Sequence, residues 1–99
     1  MANAPAGPDA LLRLPEVAHL LGRSKWAVYA DIRARLFTKP VPVGRRAVAW
    51  PASEVAAINR ARIAGATVDE LQRLVDELHE KRKPPPGAEP GGVVREARR

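Results

Sequence analysis

Pro84-Pro85-Pro86 stops any helix that reaches it, because three successive residues lack an amide hydrogen and crowd the preceding turn. The stretch it opens, residues 84–99 (PPPGAEPGGVVREARR), carries proline, glycine and charge but almost no large apolar side chains. Residues 1–10 (MANAPAGPDA) are of the same kind. Neither end buries enough apolar surface to offset the entropy of ordering it, so both read as flexible tails. The foldable part of the 99-residue chain is then 11–83, near the lower limit for a domain without staples. Cysteine is absent, which excludes disulfides, thiolate nucleophiles and Cys-ligated metal sites.

Charge is unevenly placed. The whole chain has 17 Lys+Arg against 11 Asp+Glu, a formal net charge of +6. Residues 11–66 hold ten basic and three acidic side chains, whereas residues 67–83 hold four and five. A small domain with a concentrated positive surface most often meets a polyanion, usually nucleic acid. No run approaches the roughly 20 apolar residues of a membrane span, and the N-terminus lacks a secretory-signal pattern. Arginine outnumbers lysine 13 to 4 and alanine is the commonest residue, a composition of bacteria with G+C-rich genomes and their phages. The expectation is a cytoplasmic, nucleoid-associated protein of a bacterial host.

The punctuation predicts four helices and a hairpin. Leu11–Leu14 leads into a first helix with Pro15 at its first position, Glu16 in its first turn and Gly22 as its stop. Ser24 caps a second helix, Lys25 to about Ala34, with Val28, Tyr29 and Ile32 on one face. Gly22-Arg23-Ser24 between two short helices is a helix-turn-helix signal. Val41-Pro42-Val43, a turn at Gly44-Arg45-Arg46, and Ala47–Trp50 read as a hairpin, with Phe37 and Trp50 as packing anchors. Ser53 is expected to cap a third helix running to about Ile63 and ended by Gly65. Thr67-Val68-Asp69-Glu70 is a capping box that opens a fourth, running to about 82. Its apolar seam is Val68, Leu71, Val75 and Leu78.

This order is the layout of a mainly α, winged helix-turn-helix domain over 11–66, with a two-stranded β-hairpin wing and an extra C-terminal helix over 67–83. The stretch LPEVAHLLGRSKWAVYADIRARLFTKPVPVGRRAVAWPASEVAAI also resembles the AlpA/excisionase family, small prophage-associated DNA-binding proteins of the wider MerR-like winged-helix group. The resemblance rests on Ser24, Lys25, Tyr29, Phe37, Pro40, Gly44, Arg46, Trp50 and Ser53-Glu54-Val55, within roughly residues 12–62. Two positions depart from the family pattern: Arg35 stands where glycine is usual, and Thr38 where proline is. Trp26 stands where a small hydroxyl residue is frequent. The resemblance implies either an excisionase, a recombination directionality factor that binds DNA repeats cooperatively and bends them beside an integrase site, or a transcription regulator with the same domain. Neither is a catalyst.

In a helix-turn-helix the second helix enters the major groove with its N-terminal residues toward base edges. The candidate double-stranded DNA contacts are therefore Arg23, Ser24, Lys25, Trp26, Ala27, Ala30 and Arg33, together with Lys39 and the turn residues Arg45 and Arg46. Several carry a second reading: Ser24 as a plain cap, Trp26 as packing under the helix, Lys39 as a solvated lysine, Arg46 as a tie between hairpin and helices. The seam Val68, Leu71, Val75 and Leu78 has two uses, packing within the chain or contact with a second copy on DNA or with integrase. Enzyme readings fail for want of parts. His19 and His79 fall on different helices without metal-ligand spacing, no glycine-rich phosphate loop is present, and the serines serve as caps. No cofactor is expected.

Overall fold

A computed structural model describes residues 9–83; residues 1–8 and 84–99, the bulk of the two expected tails, lie outside the described residues. The elements in order are β1 (Leu11–Leu12), α1 (Leu14–Leu21), α2 (Lys25–Arg33), β2 (Val41–Pro42), β3 (Val48–Pro51), α3 (Ala52–Ile63) and α4 (Val68–Lys81). The three strands form an antiparallel sheet in the order β1-β3-β2. Four helices with this small sheet are compatible with a winged-helix-like DNA-binding fold.

The expected two-stranded hairpin is thus corrected to a three-stranded sheet. Leu11 and Leu12 do not lead into the first helix as a helical run; they pair with Pro51 and Trp50 across the free edge of β3. Pro15 is the local reason. In a longer helix its nitrogen would have no N–H for the Leu11 carbonyl and its ring would crowd that carbonyl, so α1 begins at Leu14 and Arg13 is extended at φ −87°, ψ 165°. The ladder extends one step further, where the Ala52 N–H donates to the Ala10 carbonyl at 2.8 Å. On the other side, Val41 faces Ala49 and Pro42 faces Val48. The Val43 N–H donates to the Ala47 carbonyl at 2.9 Å, which leaves Gly44-Arg45-Arg46 as the loop.

Ser53 is not the cap of α3. Pro51 occupies that position without a side-chain bond, because α3 starts directly from β3. Ser53 lies in the first turn, where its N–H donates to Asp9 Oδ1 at 3.1 Å and its hydroxyl donates to Asp9 Oδ2. Asp9 and Ala10, placed by sequence in the tail, therefore anchor the start of α3. A carboxylate there meets two donors and the positive end of the helix dipole.

Three helix ends share one device. After α1, α2 and α3 the chain makes paired 6→1 and 5→2 backbone bonds around a left-handed residue. Two of those residues are glycines, Gly22 at φ 67° and Gly65 at φ 85°; the third is Arg35 at φ 62°. The position where the sequence departs from glycine is thus one where the backbone asks for it.

The core joins all four helices and the sheet: Val17, Ala18, Val28, Phe37, Trp50, Val55, Ile58 and Val75. Trp50 is its centre. It stacks on Phe37 at 6.0 Å between centroids, meets Tyr29 edge-on at 6.3 Å, and its indole N–H donates to the Thr38 carbonyl at 2.9 Å. The α4 seam turns inward: Leu71 and Val75 are buried, Leu78 packs against the core, and Val68 remains exposed. Side-chain amides finish α1 and α2, Asn59 donating to the Leu20 carbonyl at 2.9 Å and Gln72 to the Ala34 carbonyl at 3.0 Å.

Candidate nucleic-acid interface

Residues of α2 divide by helical phase. Val28 and Asp31 are buried and Ile32 half-buried; Trp26, Ala30 and Arg33, spaced i, i+4 and i+7, form an exposed stripe. Lys25 is exposed beside them, and Ala27 is half-buried. The Ser24 hydroxyl accepts from the Ala27 N–H at 3.1 Å, so Ser24 is a cap. Trp26 is 86% exposed, which decides between its two readings: it does not pack under the helix. Lys25, Trp26 and Tyr29 line a shallow groove along α2.

Lys25, Arg33, Arg45 and Arg46 are exposed and make no ion pair among the described residues. They stand on two separate elements, α2 and the loop between β2 and β3. A cation without an internal partner keeps its full charge for an external anion.

Arg23 and Lys39 have internal ties. Arg23 forks onto Asp31, with Nε 3.0 Å from Oδ2 and Nη2 2.8 Å from Oδ1. Arg62 of α3 reaches the same carboxylate at 3.2 Å. One buried acid thus sets the turn, α2 and α3 relative to one another, and Arg23 is left half-exposed at its edge. Lys39 is held through its backbone by the end of α4. Its N–H donates to His79 Nε2 at 3.0 Å, and its carbonyl accepts from Arg82 at 2.6 Å. Burial and the Arg82 charge beside it lower the His79 pKa below its ordinary value of 6.5.

Sequence reasoning gave Asp31 no role. A signal was present, since Asp31 follows Val28 by three and so falls on the apolar face of its helix. A carboxylate in that phase requires a cationic partner when the face is buried. Which arginines supply it is a tertiary matter.

Among the described residues no group of three or more His, Asp or Glu side chains is placed to hold a metal, and no helix is long and apolar enough to cross a membrane.

Four helices around a small antiparallel sheet, with unpaired cations on α2 and on the β2–β3 loop, are compatible with a DNA-binding protein of winged-helix-like fold. Residues 10–61, just over half the chain, match the family described as prophage CP4-57 regulatory protein (AlpA), and the chain belongs to that family. It is also similar to a protein of Enterobacteria phage P4 named uncharacterized protein ORF88, with 46% identity over 57 residues. That stretch is 58% of this chain and 65% of the phage protein, so the chain spans just under two thirds of that relative's length. No solved structure matches the chain.

Proposed function

We propose that the chain binds double-stranded DNA as an accessory factor of phage or prophage site-specific recombination, an excisionase that occupies neighbouring repeats and bends the duplex. The observation that carries DNA binding is the set of exposed, internally unpaired cations on α2 and on the β2–β3 loop: Lys25, Arg33, Arg45 and Arg46. In this reading α2 enters the major groove, with Lys25, Trp26, Ala27, Ala30 and Arg33 toward base edges, and the loop arginines meet phosphates or the adjacent minor groove. Arg23 contributes from the edge of its Asp31 pair, and the Lys39 ammonium from the loop before β2. No chemistry is asked of the protein itself, and no cofactor.

Cis packing of α4 favours adjacent single copies over a pre-formed dimer. Leu71 and Val75, the middle of the only long apolar seam among the described helices, are already in the core. A coiled-coil dimer through them would have to open the domain. Copies side by side on repeats need no such surface. An integrase contact through α4 would use Val68 and the charged outer face of the helix. The second reading, an AlpA-type transcription regulator with the same DNA-binding mode, is favoured by the description of the family, which names a regulatory protein.

The deciding experiment is an in vitro binding selection on fragmented host and phage DNA. Closely spaced repeats beside an integrase attachment site support the excisionase reading. Isolated sites at promoters replace it with the transcriptional one. No enrichment over random DNA removes sequence-preferring DNA binding altogether.

A further inference from the structure

The molecule holds two tryptophans in opposite situations. Trp50 is fully buried at the centre of the core, while Trp26 is 86% exposed at the second position of α2. Exposing a whole indole forgoes one of the largest burial gains available to a side chain. The neighbours make that exposure usable. Ala27 and Ala30 are too small to cover the ring, and Lys25 and Tyr29 form a shallow groove beside it. The groove combines an aromatic wall with a cation at its rim, and Arg33 extends the same exposed stripe one turn further on. That charge suits an apolar feature set within a polyanion better than an uncharged protein surface.

Base edges in the major groove offer one apolar group, the 5-methyl of thymine. Laying an indole face over the amino edge of cytosine or the carbonyl edge of guanine strips water from a polar group without replacing the hydrogen bond. Laying it over a methyl strips none that is needed. We infer that Trp26 reads the 5-methyl group of a thymine in the major groove, with Lys25 and Tyr29 bordering the contact, and so sets base preference at one position of the site. This rests on the DNA-binding reading above and deepens it.

The test uses the full chain and a duplex selected by it from a random-sequence pool. Each thymine of that duplex is replaced in turn by deoxyuridine, which removes the methyl alone. Affinities are measured for the parent chain, Trp26→Ala and Trp26→Leu, at low salt, so that phosphate contacts sustain binding by the variants. At one or two thymines, loss of the methyl weakens the parent about fourfold, the value of one buried methyl. Trp26→Ala shows no dependence on those methyls, and Trp26→Leu keeps part of it. Circular dichroism and the urea midpoint of both variants match the parent, since the Trp26 side chain is 86% exposed. Acrylamide quenching reports the same indole, because DNA shields Trp26 while Trp50 is inaccessible throughout. Methyl-independent binding by the parent, or full methyl dependence in Trp26→Ala, overturns the inference while leaving DNA binding in place. A chain that selects no duplex at all overturns the DNA-binding reading, and this inference falls with it.

Discussion

Arg82 grips both carboxylate oxygens of Glu54, its Nε 2.8 Å from Oε2 and its Nη2 2.6 Å from Oε1, and so ties the end of α4 to the first turn of α3. Glu54 is 5% exposed, whereas the Arg82 side chain keeps about a quarter of its surface in water. The pair is therefore asymmetric, and its two halves are not equivalent targets. Arg82→Ala strands a buried carboxylate and is expected to cost about 3 kcal/mol. Glu54→Gln keeps an acceptor and lets the guanidinium swing into solvent, costing about 1 kcal/mol. Urea midpoints of the two variants check the order; equal losses would show that Arg82 packing, not the stranded acid, sets the cost.

Arg35 carries backbone strain that its neighbours avoid with glycine. A non-glycine residue at φ 62° costs about 1 kcal/mol. Its ion pair with Asp76, both side chains more than half exposed, returns at most about 0.5 kcal/mol. Arg35→Gly removes the strain, but it loses the pair and adds about 0.5 kcal/mol of freedom to the unfolded chain, so the net change is close to zero. Arg35→Ala loses the pair and keeps the strain. The melting temperature of Arg35→Gly is expected close to that of the parent and above that of Arg35→Ala, and a glycine variant below the alanine one would refute the strain account.

Thr38 is fully buried and its hydroxyl has no hydrogen-bond partner among the described residues. Its carbonyl is in use, accepting from Trp50, so the backbone has to stay. Thr38→Val keeps the shape and removes the unpaired hydroxyl, with an expected gain of about 1 kcal/mol. Chemical denaturation of the purified variant measures it. A loss of stability would place a hidden partner on the hydroxyl.

His79 accepts from the Lys39 N–H through Nε2, so this contact needs the neutral ring. Its pKa in the folded chain is lowered by burial first and by the Arg82 charge second. A base with a lowered folded pKa stabilises the fold fully above its unfolded value of about 6.5 and loses that contribution as pH falls through the folded value. Stability is expected to decline on the acid side of pH 6.5, with a smaller decline in His79→Gln. Urea midpoints between pH 5 and 8 for both chains give the difference, and parallel profiles would exclude the His79 link.

Arg45 and Arg46 test the hairpin loop as a phosphate contact. In the DNA-binding reading, each replacement by alanine lowers the slope of log affinity against log salt by about 1 and weakens binding to all sequences alike. Lys25→Ala also shifts base preference. A salt slope unchanged in Arg45→Ala with Arg46→Ala would take the loop out of the interface.

Local signals were legible because they act within one turn of chain. Ser24 accepting from Ala27, the reciprocal Thr67–Glu70 box at 3.1 and 2.9 Å, and left-handed Gly22 each depend on residues at most four positions away. The same holds for the inward phase of Val28, Val55, Ile58, Leu71 and Val75, which helical periodicity alone supplies. Pairing between distant segments was not legible. Leu11 and Leu12 read as a lead into the first helix; Pro15 bars that helix from reaching back to them, and the open edge of β3, a distant segment, makes them a strand. Ser53 has the composition of a cap, yet Pro51 takes that place because β3 runs straight into α3 and Asp9 arrives from the other end of the fold.

By itself the sequence determined where α2 and α4 are capped, where α1 and α3 stop, which faces are apolar, and that the positive charge lies in the first two thirds of the chain. The tertiary structure alone decided that Asp31 holds Arg23 and Arg62 together, that Leu71 and Val75 of the α4 seam are buried in cis, and that one tryptophan is buried while the other faces water. The physical reason is range. Capping and periodicity are set by bonds within a turn, whereas burial and ion pairing depend on which distant surfaces meet, and a one-dimensional pattern does not carry that.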